Sequence, residues 1–207
     1  MGEYGEVWQK QPTTFWDWMW KTREGEKITE RLLTACLKAS TIIEIGCGYG
    51  HFCKELVKRG WNGKNYLGID ISNGPITFDN SHPNVHAVQG NFMDMLAAGQ
   101  IVPAELVISQ AVLCHQAHWL PMVLAAFRCG RAIGMDISYV TDEPMHNPKR
   151  RDDGCYDTYT SQTQLEKEIK TLGLTTSLKV ERVYNKARKA QELFLTGSLD
   201  PSWTLHP

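Results

Sequence analysis

The 207-residue chain has a formal net charge of −1 and a predicted pI near 6.6, so no global field draws it toward nucleic acid or an anionic membrane. Its six cysteines (Cys36, Cys47, Cys53, Cys114, Cys129 and Cys155) include no C-x-x-C pair, which favours reduced core thiols over disulfides or zinc ligands. No signal-peptide pattern opens the chain and no run of about 18 apolar residues could span a bilayer, so a single cytoplasmic domain over residues 1–207 is expected.

Four of the seven tryptophans, Trp8, Trp16, Trp18 and Trp20, fall in the first twenty residues together with Phe15. A segment this aromatic would not stay bare in water. It reads as a lid over a ligand site, with Trp16 and Trp20 facing substrate, or as an appendage packed on neighbouring helices. From Glu26 to Ala39, residues Ile28, Leu32, Leu33, Cys36 and Leu37 mark one face of an amphipathic helix.

The run Thr41-Ile42-Ile43-Glu44-Ile45 suits a strand covered on both faces, and it leads into Gly46-Cys47-Gly48-Tyr49-Gly50. Glycines at alternate positions allow positive φ and let a ligand reach the backbone without meeting a Cβ. Phe52, Cys53, Leu56 and Val57 then recur at helical spacing up to Gly60, and the N-terminus of that helix favours an anionic group such as a carboxylate. A second apolar strand, Tyr66-Leu67-Gly68-Ile69-Asp70-Ile71, places Asp70 twenty residues beyond Gly50. An acid in that place can accept hydrogen bonds from both hydroxyls of a ribose.

Residues 71–83 are rich in Asn, Ser, Gly and Pro and predict only irregular structure. A short third strand at Val85, Ala87 and Val88 ends at Gln89-Gly90-Asn91-Phe92. A fourth strand, Ala104 to Ser109, is followed by Gln110-Ala111-Val112-Leu113-Cys114-His115. Pro121 suits the first turn of a helix faced by Leu120, Val123, Leu124 and Phe127, after which Ala132 to Tyr139 reads as strand five. The stretch from Tyr139 to Ser161 shows no periodicity, and a connection that long predicts a functional loop. Ser161 with Gln164 has the form of a capping box that opens a helix through Leu165, Ile169 and Leu172. Leu178 to Tyr184 and Glu192 to Thr196 read as two closing strands.

The glycine spacing, preceded by Glu44 and followed by Asp70, resembles the first motif of class I S-adenosylmethionine-dependent methyltransferases, and the chain order resembles that family over about residues 26–197. The resemblance implies an α/β doubly wound, seven-stranded, mostly parallel sheet of order 3-2-1-4-5-7-6, with the last strand antiparallel and helices on both faces. Residues 1–25 are left as an aromatic lid or cap segment, residues 26–197 as the Rossmann-like core and 198–207 as a tail. The resemblance also implies that S-adenosylmethionine is held by Glu44, Gly46, Cys47, Gly48, Gly50, Asp70, Ile71, Asn91, Phe92 and Gln110, with Asn91 in place of the family's usual acid beside the adenine.

Methyl transfer from a sulfonium needs an oriented acceptor and, where the acceptor must lose a proton, a base. His115, just beyond strand four where the acceptor should face the methyl group, is the candidate catalytic base. Trp16, Trp20, Tyr139, His146, Tyr156 and Tyr159 are the candidate substrate residues. Cys114, His115 and His118 lie too close together in sequence to converge easily on a metal, so no metal is expected. Lys149-Arg150-Arg151 runs directly into Asp152-Asp153, the pattern of a solvated loop. The expected function is methylation of a small molecule, with no membrane and no nucleic acid as partner. The rivals are an RNA or protein methyltransferase and a non-catalytic subunit that binds the cofactor. A nicotinamide enzyme is disfavoured because His51 stands where its third glycine would be.

Overall fold

In chain order the elements are α1 (Thr13–Lys21), α2 (Lys27–Cys36), β1 (Thr41–Ile45), α3 (His51–Lys58), β2 (Asn65–Asp70), β3 (Val85–Gln89), α4 (Phe92–Ala97), β4 (Ala104–Ser109), a 3₁₀ turn (Leu113–His115), α5 (Leu120–Cys129), β5 (Gly130–Val140), β6 (His146–Arg150), β7 (Tyr156–Thr160), α6 (Gln162–Thr171), β8 (Lys179–Asn185) and β9 (Ala190–Ser198). The computed structural model describes residues 12–72, 82–142, 146–150, 156–171, 179–185 and 190–198.

Strand β1 is central, parallel to β2 on one side and to β4 on the other. Its side chains alternate between two cores. Ile43 and Ile45 join Val107, Trp119, Phe127, Ile133, Leu165 and Ile169 beneath α4, α5 and α6, while Ile42 joins Leu32, Leu33, Phe52, Leu56, Tyr66 and Leu106 beneath α2 and α3. Burial on both faces explains the unbroken apolar reading of these strands and puts helices on both sides of the sheet.

The parallel strands run in the order β3-β2-β1-β4-β5, and β9 continues antiparallel from β5 to β8. The expected order 3-2-1-4-5-7-6 is therefore found, with β9 and β8 as its last two strands. The sheet has two strands more than the seven expected. The stretch read as an aperiodic loop contains an antiparallel hairpin, β6 with β7, and β7 pairs in parallel with the end of β5 at Tyr139 and Val140. The reason is compositional: Tyr-Asp-Thr-Tyr-Thr is made largely of strand formers, and the proline at 148 falls on the edge strand β6, where a missing donor is tolerated.

Two helix starts are capped by side chains, that of α6 as its sequence predicts and that of α4 by Asn91, which the sequence reading places beside the adenine. The Ser161 hydroxyl accepts from the Gln164 backbone N–H at 3.1 Å, and the Asn91 side chain accepts from Met93 at 2.9 Å and Asp94 at 3.3 Å. Cys36, Cys47, Cys53, Cys114 and Cys129 are free and buried. Burial pushes the thiols of Cys36, Cys47 and Cys53 well above their ordinary range, so they stay protonated. Trp8 and Cys155 lie outside the described residues. Among the described residues no helix is long and apolar enough to cross a membrane.

Candidate active site

The turn after β1 is held from below by β2. The backbone N–H groups of Gly46 and Cys47 both donate to the Ile69 carbonyl, at 2.7 and 3.3 Å. Asp70 then reaches over the turn: its Oδ2 accepts from the Gly48 N–H at 2.8 Å and its Oδ1 from the Ser72 N–H at 2.8 Å. Gly46, Gly48 and Gly50 all have positive φ. A Cβ on Gly46 would lie 2.0 Å from Val112 Cγ2, so a side chain there is opposed on conformational and steric grounds alike, while one on Gly48 would lie 3.1 Å from the Trp16 ring, a tight contact added to a backbone that favours glycine.

Glu44 points toward the α2 and α3 face and is 4% exposed. It accepts a short hydrogen bond from the Tyr66 hydroxyl. Burial, reinforced by the nearby Asp70 charge and opposed by the Tyr66 bond, lifts its carboxyl to a pKa of about 8. Tyr66 thus supplies the partner that the strand position alone would lack.

A cavity of about 530 Å³ opens at the carboxyl ends of β1, β2 and β4. Glu44, Gly46, Cys47, Gly48, Asp70, Ile71, Asn91, Phe92 and Gln110 all line it, whereas Gly50 begins α3 just behind it as a left-handed N-cap. Asn91 borders the cavity, but its side-chain oxygen is committed to the N-terminus of α4, so adenine would not be read through that oxygen alone. Gln110 lines the wall while its amide donates to the Thr29 hydroxyl of α2.

Helix α1 forms the roof. Trp16, Met19 and Trp20 line the cavity. The Trp16 ring packs against Tyr49 at 5.9 Å, and Trp20 stacks on His51 at 6.2 Å with an 18° interplanar angle. Asp17 also contacts His51 Nε2 at 2.8 Å, fastening the aromatic segment to the start of α3.

Beyond the roof Arg23 is 4% exposed and lines the cavity. Its Nη1 donates to Asp136 Oδ2 at 3.1 Å, while Nε and Nη2 have no partner among the described residues. A buried donor left in that condition costs roughly 1–3 kcal/mol. The register of β5 against β9 shifts between Asp136 and Ser138, an irregularity of the kind that re-aims side chains next to active sites. Asp136 in turn accepts the Ala111 N–H with both oxygens, at 2.7 and 2.8 Å, and Ala111 has φ 61°. One carboxylate therefore fixes both the peptide after Gln110 and a guanidinium from the roof.

His115 closes the far end, 5% exposed and lining the cavity, with its Nδ1 3.5 Å from Asp157 Oδ1 on β7. Beside it the Thr158 hydroxyl donates to the Gln116 carbonyl and docks the hairpin on the 3₁₀ turn. The hairpin reaches the site through Asp157. Tyr139 and Tyr159 are in-register neighbours on β5 and β7, with ring centroids 5.4 Å apart, and do not line the cavity. The backbones of His146 and Tyr156 lie in β6 and β7, and their side chains fall outside what is described. No metal-ligand group of three His, Cys, Asp or Glu residues forms among the described residues.

Arg23, Asp136 and Asp157 escaped the sequence reading. Two of them left a signal. Trp16, Trp20 and Arg23 recur at helical spacing, and Asp136 interrupts the apolar run of β5, where an acid requires a cationic or backbone partner. Asp157 left none, since its strand was read as loop.

S-adenosylmethionine fits these residues. Backbone that a Cβ would obstruct lines the middle of the cavity, and Asp70 keeps lone pairs beyond its two backbone contacts for ribose hydroxyls. Phe92, Met93 and Ile71 offer an apolar border for a base. Comparison with known proteins agrees. A stretch of 120 residues, 56% of this chain and 46% of its relative, is 29% identical to a trans-aconitate 2-methyltransferase of Azoarcus sp. (strain BH72), so the match spans about half the length of that relative. The fold matches a Burkholderia thailandensis 1,6-didemethyltoxoflavin-N1-methyltransferase, solved with that acceptor and S-adenosylhomocysteine, at a TM-score of 0.63 and 12% identity over 95% of this chain and 88% of the other. It also matches the DhpI–S-adenosylhomocysteine complex at a TM-score of 0.59 and 18% identity, over 96% and 94% of the two chains. The methyltransferase domain family matches residues 18–176, and with that glycine turn, that acid and that strand order the chain belongs to the class I S-adenosylmethionine-dependent methyltransferases.

Proposed function

We propose that the protein transfers a methyl group from S-adenosylmethionine to a small-molecule acceptor, with His115 as the base. The carrying observation is the cavity itself, which runs from Asp70 to His115 under the roof of Trp16, Met19 and Trp20. Its volume of about 530 Å³ lies within the range of roughly 300–1,000 Å³ usual for small-ligand sites. The relative named for trans-aconitate and the neighbour solved with didemethyltoxoflavin both take compact acceptors, which supports the same reading.

S-adenosylmethionine, when bound, supplies a methyl carbon activated by sulfonium: the acceptor's lone pair forms the new bond as the carbon–sulfur bond breaks and its electron pair remains on sulfur. The chain's own part is positioning and proton transfer. The glycine turn and Asp70 fix one end of the cavity, and Trp16, Met19 and Trp20 of α1 line it from above. Orientation of this kind can supply roughly 7–11 kcal/mol of a barrier. Asp157, whose Oδ1 lies 3.5 Å from His115 Nδ1, sets a carboxylate beside the imidazole that would accept the proton an attacking hydroxyl or amine must lose.

Release of S-adenosylhomocysteine tests the reading. The protein is incubated with S-adenosylmethionine and, separately, with the dialysable and macromolecular fractions of a cell extract. Product is expected with the dialysable fraction and should fall in a His115→Asn variant. Product only with RNA or protein would transfer the assignment to those acceptors, and cofactor binding without product from any fraction would favour a non-catalytic subunit.

A further inference from the structure

We propose that Arg23 is an anchor for a carboxylate on the methyl acceptor, so that the protein's substrates are organic acids. The inference rests on reading this cavity as the site of methyl transfer to a small molecule, and it names the acceptor's class.

Three observations carry it. Arg23 is buried and faces the cavity with Nε and Nη2 lacking any partner among the described residues. A guanidinium presents its N–H groups as a planar fork that matches a carboxylate edge, and here Asp136 engages only Nη1. No lysine and no other arginine line the cavity among the described residues, so Arg23 is the permanent cation there.

The placement assigns this fork to the acceptor. Asp136 ties Arg23 to β5, across β4 from Asp70 and the glycine turn that face the ribose end. The same Asp136 holds the Ala111 N–H, so Arg23 is fixed relative to the peptide that follows Gln110, at the end where His115 faces the acceptor. His51 and Phe52 of the first turn of α3 also line the cavity, so that helix N-terminus offers the cofactor's carboxylate a second place. Under this proposal an acid anchored at Arg23 shares the cavity with His115, the base proposed above.

The test titrates the full chain, saturated with S-adenosylhomocysteine, with succinate, benzoate and citrate and with the methyl ester of each, by calorimetry. At least one acid is expected to bind on the order of tenfold or more tighter than its ester, as loss of a charge-assisted pair implies. Arg23→Gln should abolish that preference while S-adenosylhomocysteine affinity changes less than the acid's. Arg23→Lys, which can still pair with Asp136, serves as the folded control and should retain part of the preference. No acid preferred over its ester in the wild type would overturn the proposal. It would also fall if Arg23→Lys and Arg23→Gln lost S-adenosylhomocysteine affinity but kept 5′-methylthioadenosine affinity, because the fork would then hold the cofactor's carboxylate. Methylation of uncharged acceptors at a rate independent of Arg23 would remove this inference and leave the small-molecule reading standing.

Discussion

The Asp70 carboxylate accepts the Gly48 N–H at 2.8 Å, so the acid at the end of β2 clamps the turn that leaves β1 while it faces the cavity. One side chain therefore orders the turn and faces the cavity in which we propose the cofactor binds. Asp70→Ala should weaken S-adenosylhomocysteine binding by about 1.5–3 kcal/mol and lower the Tm, by about 2–4 °C per kcal/mol of lost turn stability. Asp70→Asn retains one acceptor oxygen and should fall between. Calorimetry and thermal melts measure the two effects, and an unchanged Tm with lost affinity would remove the clamp.

Gly46 and Val112 make a second pair. Gly46→Ala brings a Cβ to 2.0 Å from Val112 Cγ2 and also forces alanine to φ 81°. The left-handed backbone alone costs about 1–2 kcal/mol, and the overlap adds to it. Gly46→Ala/Val112→Ala should recover only the overlap, leaving a residual of the backbone's size. Urea unfolding of the two singles and the double measures the split.

His115 and Asp157 are expected to act as a unit. His115→Asn should lower kcat about a hundredfold with cofactor affinity nearly unchanged. Asp157→Asn should lower kcat by a smaller factor with little effect on KM, and should have no further effect in the His115→Asn background. Steady-state rates of S-adenosylhomocysteine release check this. A separate, additive Asp157 effect would mean that it supports the hairpin and not the histidine.

Glu44 makes stability depend on pH in a defined direction. Its folded pKa is raised from 4.5 to about 8, so the folded state holds a proton that the unfolded chain releases. The contribution is fully present below pH 4.5 and is lost as pH rises toward 8. Glu44→Gln stays neutral throughout, so wild type should lose stability relative to it by up to about 1.4 kcal/mol per pH unit across that window. Urea melts at pH 5, 6.5 and 8 test the slope. A difference that grows toward low pH would reverse the sign and refute the assignment.

Much of the fold was legible because the signals are local. Ile42, Ile43 and Ile45 announce a strand buried on both faces, Gly46 to Gly50 announce a turn that a ligand can approach, and Ser161 with Gln164 opens a helix where its hydroxyl caps it. The hairpin was illegible because Tyr156 to Thr160 gains its pairing from residues distant in sequence, the end of β5 and the edge strand β6. The cofactor half of the cavity follows from one strand–turn–helix unit and one acid. The half that we propose takes the acceptor brings Arg23, Ala111 with His115, Asp136 and Asp157 together from four separate segments, and only tertiary structure makes those meetings visible.

Asp136 has a consequence for how such a site can diversify. Its two oxygens serve the Ala111 peptide and the Arg23 fork together, so any replacement changes the backbone at the end of β4 and the cation of the roof in one step. Met19, Gln116 and Met122 line the same cavity without that double duty. Variants with new acceptor preferences should therefore accumulate at those three positions, while position 136 admits change only alongside compensating changes at 23 and 111.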